Sequence, residues 1–303
     1  MEISRLIPAA FALAFLMSAC DSDSRKTNSS AVFQTSEFHE YWHAGKAEIN
    51  SYHLTQSRYG EPREGKAVMI FVTEDFSRRR QVKLDDPNRS GDKVNVLKLN
   101  FTRDFVTGIY PYSIMLSVFT PTNPETHPAT VKATMSSQEW CGQVYTQLNL
   151  LSNRYIVNSH SYFEQEGDEH YSMRAALLED ELWNRIRLDH ESLPQGEISV
   201  IPGLVYTRLH HTELAARRAI ADKVARESAF EYVLQFPDDR RSLSIVYQKT
   251  FPHQILEWRE TWFENGVEME TSATLDKTLY NDYWNKNRNE FLYLRDSLNL
   301  SYP

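Results

Sequence analysis

The chain has 303 residues, with 33 Lys and Arg against 41 Asp and Glu and a formal net charge of −8. The two signs are interspersed along it, which speaks against a nucleic-acid surface. Beyond the first twenty residues no apolar run is long enough to cross a bilayer as a helix.

The N-terminal stretch MEISRLIPAAFALAFLMSAC places Arg5 ahead of an apolar run from Leu6 to Met17. That run is too short for a spanning helix and ends in small residues, the pattern of an export signal. Its ending, LMSAC, resembles a bacterial lipobox, with Ser18 and Ala19 before Cys20 and Met17 where leucine is commoner. The resemblance implies a diacylglyceryl group on the Cys20 thiol and cleavage just before it. Residues 1–19 are therefore expected to be a signal peptide and Cys20 a lipidation site. The polar, serine-rich segment DSDSRKTNSSAVFQTS has no hydrophobic periodicity, so residues 20–36 read as a lipidated tether. Asp21 resembles an inner-membrane retention signal, and the same acidic, serine-rich stretch serves as a surface-export cue in other lineages. The expected location is the cell envelope of a diderm bacterium, lipid-anchored, facing the periplasm or the surface. Cys20 and Cys141 are the only cysteines. With Cys20 lipidated, Cys141 has no partner within the chain, and its place beside Trp140 in the strand-like run QEWCGQVYTQ predicts an inert, buried thiol. The rival pairing is a Cys20–Cys141 disulfide.

Residues 38–43, FHEYWH, contain His39-Glu40-x-x-His43, the letter pattern of a zinc metalloprotease helix. On a helix the two histidines share a face, as a metal pair must. A zinc site also needs a third protein ligand and a substrate cleft. No metzincin extension follows, since HAGKAEI lacks the further Gly and His, and a third ligand would have to come from Glu179 or Glu181 far along the chain. Phe38, Tyr41 and Trp42 form an aromatic face that docks the helix and leaves both histidines outward. No metal, cofactor or catalytic residue is therefore assigned, and a zinc hydrolase using His39, Glu40 and His43 stands as the alternative function.

Residues 37–303 read as one mainly β domain: a curved antiparallel sheet or open barrel with a few packed helices, including N- and C-terminal ones. Strand patterns such as KAVMIFVTEDF, VNVLKLNFT, GIYPYSIMLSVF, RYIVNSHSYFEQ and EISVIPGLVYTRL alternate with turns such as GEPREG, PNRSGD, EGDE and ENG. Short turns join antiparallel neighbours, because a parallel return needs a long crossover. The basic cluster at 77–83 reads as a solvated turn. Helical period appears in SEFHEYWHAG, ALLEDELWNRIRL and TLYNDYWNKNRNEFLYLRDSL. TELAARRAIADKVARES fits helix or strand and is assigned to strand by its neighbours. AVMIFV is apolar on both faces, so one of the terminal helices is expected to cover its outer side. In LHHTE, His210 and His211 would point in opposite directions on a strand and not chelate together.

The strand QILEWRETW puts Trp258, Glu260 and Trp262 on one face. Such a face either lines an apolar concavity or fills a core in which Glu260 pairs with an arginine across the sheet. These three residues are the candidate ligand site.

YWHAGKAEINSYHLTQSRYGEPREGKAVMIFVTEDF, QEWCGQVYTQLN, TFPHQILEWRETW and DYWNKN resemble an uncharacterised bacterial lipoprotein family, some of whose members carry the label "septum formation inhibitor Maf". True Maf pyrophosphatases carry S-x-S-x-R-R near the N-terminus; the nearest letters here are Ser77-Arg78-Arg79, so no pyrophosphatase is implied. A lipid-anchored meander is also similar, at fold level, to LolA/LolB-type open barrels that hold acyl chains. The expected function is thus a non-enzymatic, membrane-anchored envelope lipoprotein. Its partners would be the bilayer and an apolar ligand or envelope protein, with no nucleic acid.

Overall fold

The computed structural model describes residues 35–86, 88 and 91–300; the signal, Cys20 and nearly all of the tether lie outside them. Sixteen strands form one curved, unclosed and almost wholly antiparallel sheet, the mainly β architecture read from the alternation. The first meander runs through β1 (Ala47–Arg58), β2 (Glu61–Ser77), β4 (Lys93–Thr107), β5 (Tyr110–Pro121), β6 (Lys132–Glu139), β7 (Gly142–Leu151), β8 (Arg154–Ser161) and β9 (Asp168–Arg174). The two-residue β3 (Val82–Lys83) pairs the end of β2 across the exposed Arg78–Arg80 turn. The second meander runs through β11 (Gly196–Ile201), β12 (Arg217–Ala225), β13 (Ala229–Phe236), β14 (Arg241–Gln248), β15 (Ile255–Glu264) and β16 (Val267–Asn281). β16 returns to pair with β1, so the first and last strands form the middle of the sheet. The edges are β9 and β10 (Leu177–Leu178), which follow one another in the chain. The β10–β11 pair is the one parallel ladder among the described residues.

Inward positions of each strand are apolar by alternation. Leu97, Leu99, Phe101 and Phe105 on β4 face Tyr112, Ile114, Leu116 and Val118 on β5, all buried. A sheet this long must curl to cover such a face. Curling leaves a concave side, and a 3-10 turn (Glu179–Glu181) leading into α2 (Leu182–Asp189) fills it. Asn184 Nδ2 donates to the Leu97 and Val118 carbonyls at 3.0 and 3.3 Å. Arg187 donates to both oxygens of Glu48 on β1 at 2.6 and 2.5 Å, and its Nε to the Pro252 carbonyl at 2.7 Å. The helix thus binds β1, β4 and β5 through its polar residues while Leu182, Trp183 and Ile186 fill the interior.

Three expectations need correction. EISVIPGLVYTRL is not one strand. β11 stops at Ile201, and α3 (Leu204–His210) begins after Pro202-Gly203. The Asp180 carboxylate accepts from the Leu204 N–H at 3.0 Å. At Gly203 a Cβ would meet Glu179 Oε1 at 2.8 Å, so any larger residue would have to displace that carboxylate from where it meets Arg241. Second, the long C-terminal helix is absent: β16 continues to Asn281, held in register by β1, and only the five-residue α4 (Tyr293–Ser297) is α-helical. Third, the cover over the outer face of β2 does come from the C-terminal end, but as 3-10 turns and the end of α4 rather than as one long helix. Leu298, Tyr283 and Leu300 pack with Val68, Ile70 and Val72. The N-terminal α1 (Ser36–Trp42) forms as expected, with Thr35 Oγ1 accepting from the Phe38 N–H at 3.1 Å. TELAARRAIADKVARES supplies β12, as assigned.

Candidate functional site

Trp258, Glu260 and Trp262 do share a face, but that face lines no opening. Trp258 is buried among Tyr52, Phe101 and Trp183, with ring centroids at 4.9, 5.2 and 5.7 Å. Trp262 is buried against His210 at 4.7 Å. Glu260 takes the alternative pairing: Arg241 Nε donates to it at 2.7 Å, while the same guanidinium donates to both oxygens of Glu179 at 2.6 and 2.5 Å. Burial, reinforced by the Glu179 charge, pushes the neighbouring Asp180 carboxyl up to about 7. The concavity these rings were expected to line is occupied by α2, whose helical period is legible in the sequence, and by α3, which reads there as strand.

His39 and His43 lie on the exposed side of α1, their rings stacked at 5.2 Å, while Phe38 and Trp42 are buried. Burial, with the His39 charge adding, holds His43 below its ordinary value. Glu40 is exposed, and among the described residues no group of three or more His, Cys, Asp or Glu side chains is placed to hold a metal ion. Replacing both histidines by alanine is expected to change unfolding free energy by no more than about 0.5 kcal/mol, as for surface positions. Stoichiometric zinc in purified protein, lost in the double variant, would restore the hydrolase reading.

Cys141 is exposed rather than buried, because Trp140-Cys141 forms the turn between β6 and β7 instead of continuing a strand. Its backbone N–H donates to Glu139 Oε2 at 3.0 Å, and a hydrogen bond with Glu139 and that residue's charge push the thiol up. A thiol held protonated is a poor nucleophile.

An opening lies beside the β9 edge. Strand alternation brings Met135, Val144, Thr146, Val157 and Ser159 to the concave face of β6, β7 and β8, where they form the floor. The β8–β9 loop adds Gln165 and Glu166, and β9 adds Glu169 and Tyr171. α3 and the segment after it add Thr207, Arg208, His211, Thr212, Glu213 and Leu214, enclosing a cleft of about 430 Å³. His211 caps α3 in the left-handed region, φ +52°, and that reversal turns its ring toward the β8–β9 loop while His210 goes to Trp262. The two histidines diverge as expected, though from a helix end rather than a strand.

The polar side of the cleft is a network with loose ends. Glu166 accepts from the Ser161 hydroxyl at 2.5 Å, lies 2.5 Å from His211 Nδ1, and meets Arg208 Nη1 at 3.4 Å. Burial raises the Glu166 carboxyl, but the Ser161 and His211 hydrogen bonds and the Arg208 charge outweigh it and hold it below its ordinary value. Arg208 is buried over the Phe163 ring, 4.6 Å from its centroid. Its Nε and the Thr212 hydroxyl are buried with no hydrogen-bond partner among the described residues. Such orphaned donors are rare in folded proteins. Tyr171 donates to the Leu214 carbonyl at 3.2 Å; burial and the charges of Glu169 and Glu213 push its hydroxyl up to about 12. The lining holds three carboxylates, Glu166, Glu169 and Glu213, against one guanidinium, so its potential is negative.

Of these residues only His211 was named from the sequence, as half of a pair unable to chelate. EGDE reads as turn chemistry and YTRLHHTE as strand. The usable signal was Pro202-Gly203 followed by Leu204, Val205 and Leu209 at helical spacing, which marks α3. No family model matches the chain, and no curated protein matches it.

Proposed function

We propose that this protein is a membrane-anchored lipoprotein of the bacterial cell envelope that binds, without catalysis, a partly apolar and positively charged ligand in the cleft between β6–β9 and α3. The observation that carries the reading is the cleft lining: an apolar floor of Met135, Val144 and Val157 below a carboxylate-rich rim. Pockets of this size with a few convergent polar groups are the usual form of binding sites. The apolar concavity at Trp258 is filled, so a plain acyl chain has no place there.

Cys20 supports the anchoring half of the reading through the lipobox resemblance and the polar tether that follows. Labelling with a radioactive fatty acid is expected to fail in Cys20→Ala, with the precursor left unprocessed. Equal labelling of variant and wild type would sink the lipoprotein assignment.

The binding half is tested with delipidated protein and two fluorescent probes, a dodecylamine and the matching dodecanoate. The amine is expected to bind saturably and the acid not. Glu169→Gln combined with Glu213→Gln should weaken the amine by about tenfold, the loss of two exposed attractions of about 0.7 kcal/mol each. Absence of saturable amine binding, or equal binding of both probes, would overturn the cleft as a site.

A further inference from the structure

β9 is an edge of the sheet and pairs only with β8. The phase of that ladder is set at both ends. The Ser161 N–H donates to the Gly167 carbonyl at 3.2 Å and the Ala175 N–H to the Asn153 carbonyl at 3.0 Å. Opposed residues in an antiparallel ladder alternate between hydrogen-bonded and non-bonded pairs. The register from His160↔Asp168 to Arg154↔Arg174 is unbroken. Glu169, Tyr171 and Met173 therefore turn their backbone groups to β8, while Asp168, His170, Ser172 and Arg174 turn theirs outward. Of these outward groups only the Ser172 carbonyl has a partner among the described residues, Arg154 Nη2 at 2.7 Å.

Proteins usually blunt such edges with short strands, prolines or bulges. The other edge, β10, is two residues long. β9 has seven residues, with neither proline nor bulge, and it borders the cleft through Glu169 and Tyr171.

We infer that the β9 edge and its cleft together take an added strand: an extended, basic segment of a partner protein whose backbone pairs with Asp168–Arg174 and whose alternate side chains enter the cleft. The inference rests on the cleft reading above and names the ligand class. Strand addition draws affinity from main-chain hydrogen bonds and specificity from pockets for alternate side chains. A polypeptide supplies what the cleft lacks: basic side chains for Glu169 and Glu213, which have no ion-pair partner among the described residues. A second copy of this chain fits less well as the occupant, since pairing through the same outward groups would turn its Glu169, Tyr171 and Met173 to the cleft, and these supply no cation.

The test uses the full mature chain and a peptide alternating lysine and valine over the 7 residues of β9, with a glutamate–valine peptide as control. The lysine peptide is expected to bind saturably and to slow hydrogen exchange at the outward amides of His170 and Arg174. His170→Pro removes an N–H that bonds to no other strand, a position where edge strands tolerate proline. That variant should fold and lose about tenfold in affinity, as for one forfeited main-chain bond, while His170→Ala keeps wild-type affinity. If the lysine peptide binds without slowing exchange in β9, and equally to His170→Pro, strand addition is wrong while the cleft stands. The exchange result decides this in the wild type even if the proline variant fails to fold. If neither the peptide nor dodecylamine binds, the cleft reading falls as well. A dimer by size exclusion, with β9 amides already protected, would assign the edge to self-association instead.

Discussion

Arg187→Met is expected to destabilise the protein by about 3–5 kcal/mol, because it leaves a buried carboxylate without its counter-charge. Glu48 is 1% exposed and is held by the Arg187 fork, by Asn50 Nδ2 at 2.6 Å and by the Tyr41 hydroxyl. Burial raises the Glu48 carboxyl, but the Arg187 charge and these hydrogen bonds outweigh it, so the folded value lies below the ordinary 4.5. The stability this contributes is present above 4.5 and is lost as pH falls through the lower folded value. In the methionine variant burial is no longer opposed by Arg187. The folded value then moves above the unfolded one, and the variant loses stability as pH rises. Denaturant unfolding of both proteins across the acid range should show a gap that widens toward neutrality. A gap that stays flat, or below about 1 kcal/mol as for an exposed pair, would show that the Glu48–Arg187 pair does not hold α2 in place.

The second large effect is expected at Trp258. Truncation to alanine removes a ring packed by Tyr52, Phe101 and Trp183, and should destabilise by about 3–5 kcal/mol. It should leave amine and peptide binding in the cleft unchanged, since Trp258 is no part of that lining. Trp258→Phe gives a milder version if the alanine variant does not accumulate. Lost binding at unchanged stability would return Trp258 to the role of a ligand-site residue.

These two residues also show what the sequence makes legible. Alternation placed Trp258, Glu260 and Trp262 on one face correctly, because the period of a strand is a local property. Whether that face meets a ligand or a plug is not local: the filler, residues 179–189 and 204–210, is separated from β15 by several strands. Arg187 is similarly opaque. Its spacing on a helix is visible, but Glu48, its partner, lies 139 positions away. Strands such as β2 and β4 were readable since their pattern decides their state, whereas α3 was hidden inside an apolar run that also suits a strand. The cleft residues fared worst, because Glu166, Arg208 and His211 meet only through the left-handed cap at His211 and the β8–β9 loop.

The pairing of the first strand with the last has a consequence for how the chain acquires its shape. Asn50 and Thr278 share a hydrogen bond across a separation of 228 residues. Contacts of such range form only after a long loop has been closed, which slows folding. The two meanders can each assemble from neighbouring hairpins, yet a nascent chain that has not reached β16 holds β1 with one bare side. The spine is the last ladder to be synthesised, and until then a row of open main-chain groups beside buried side chains invites wrong partners. The chain is therefore exposed to misfolding and aggregation until its final strand has arrived.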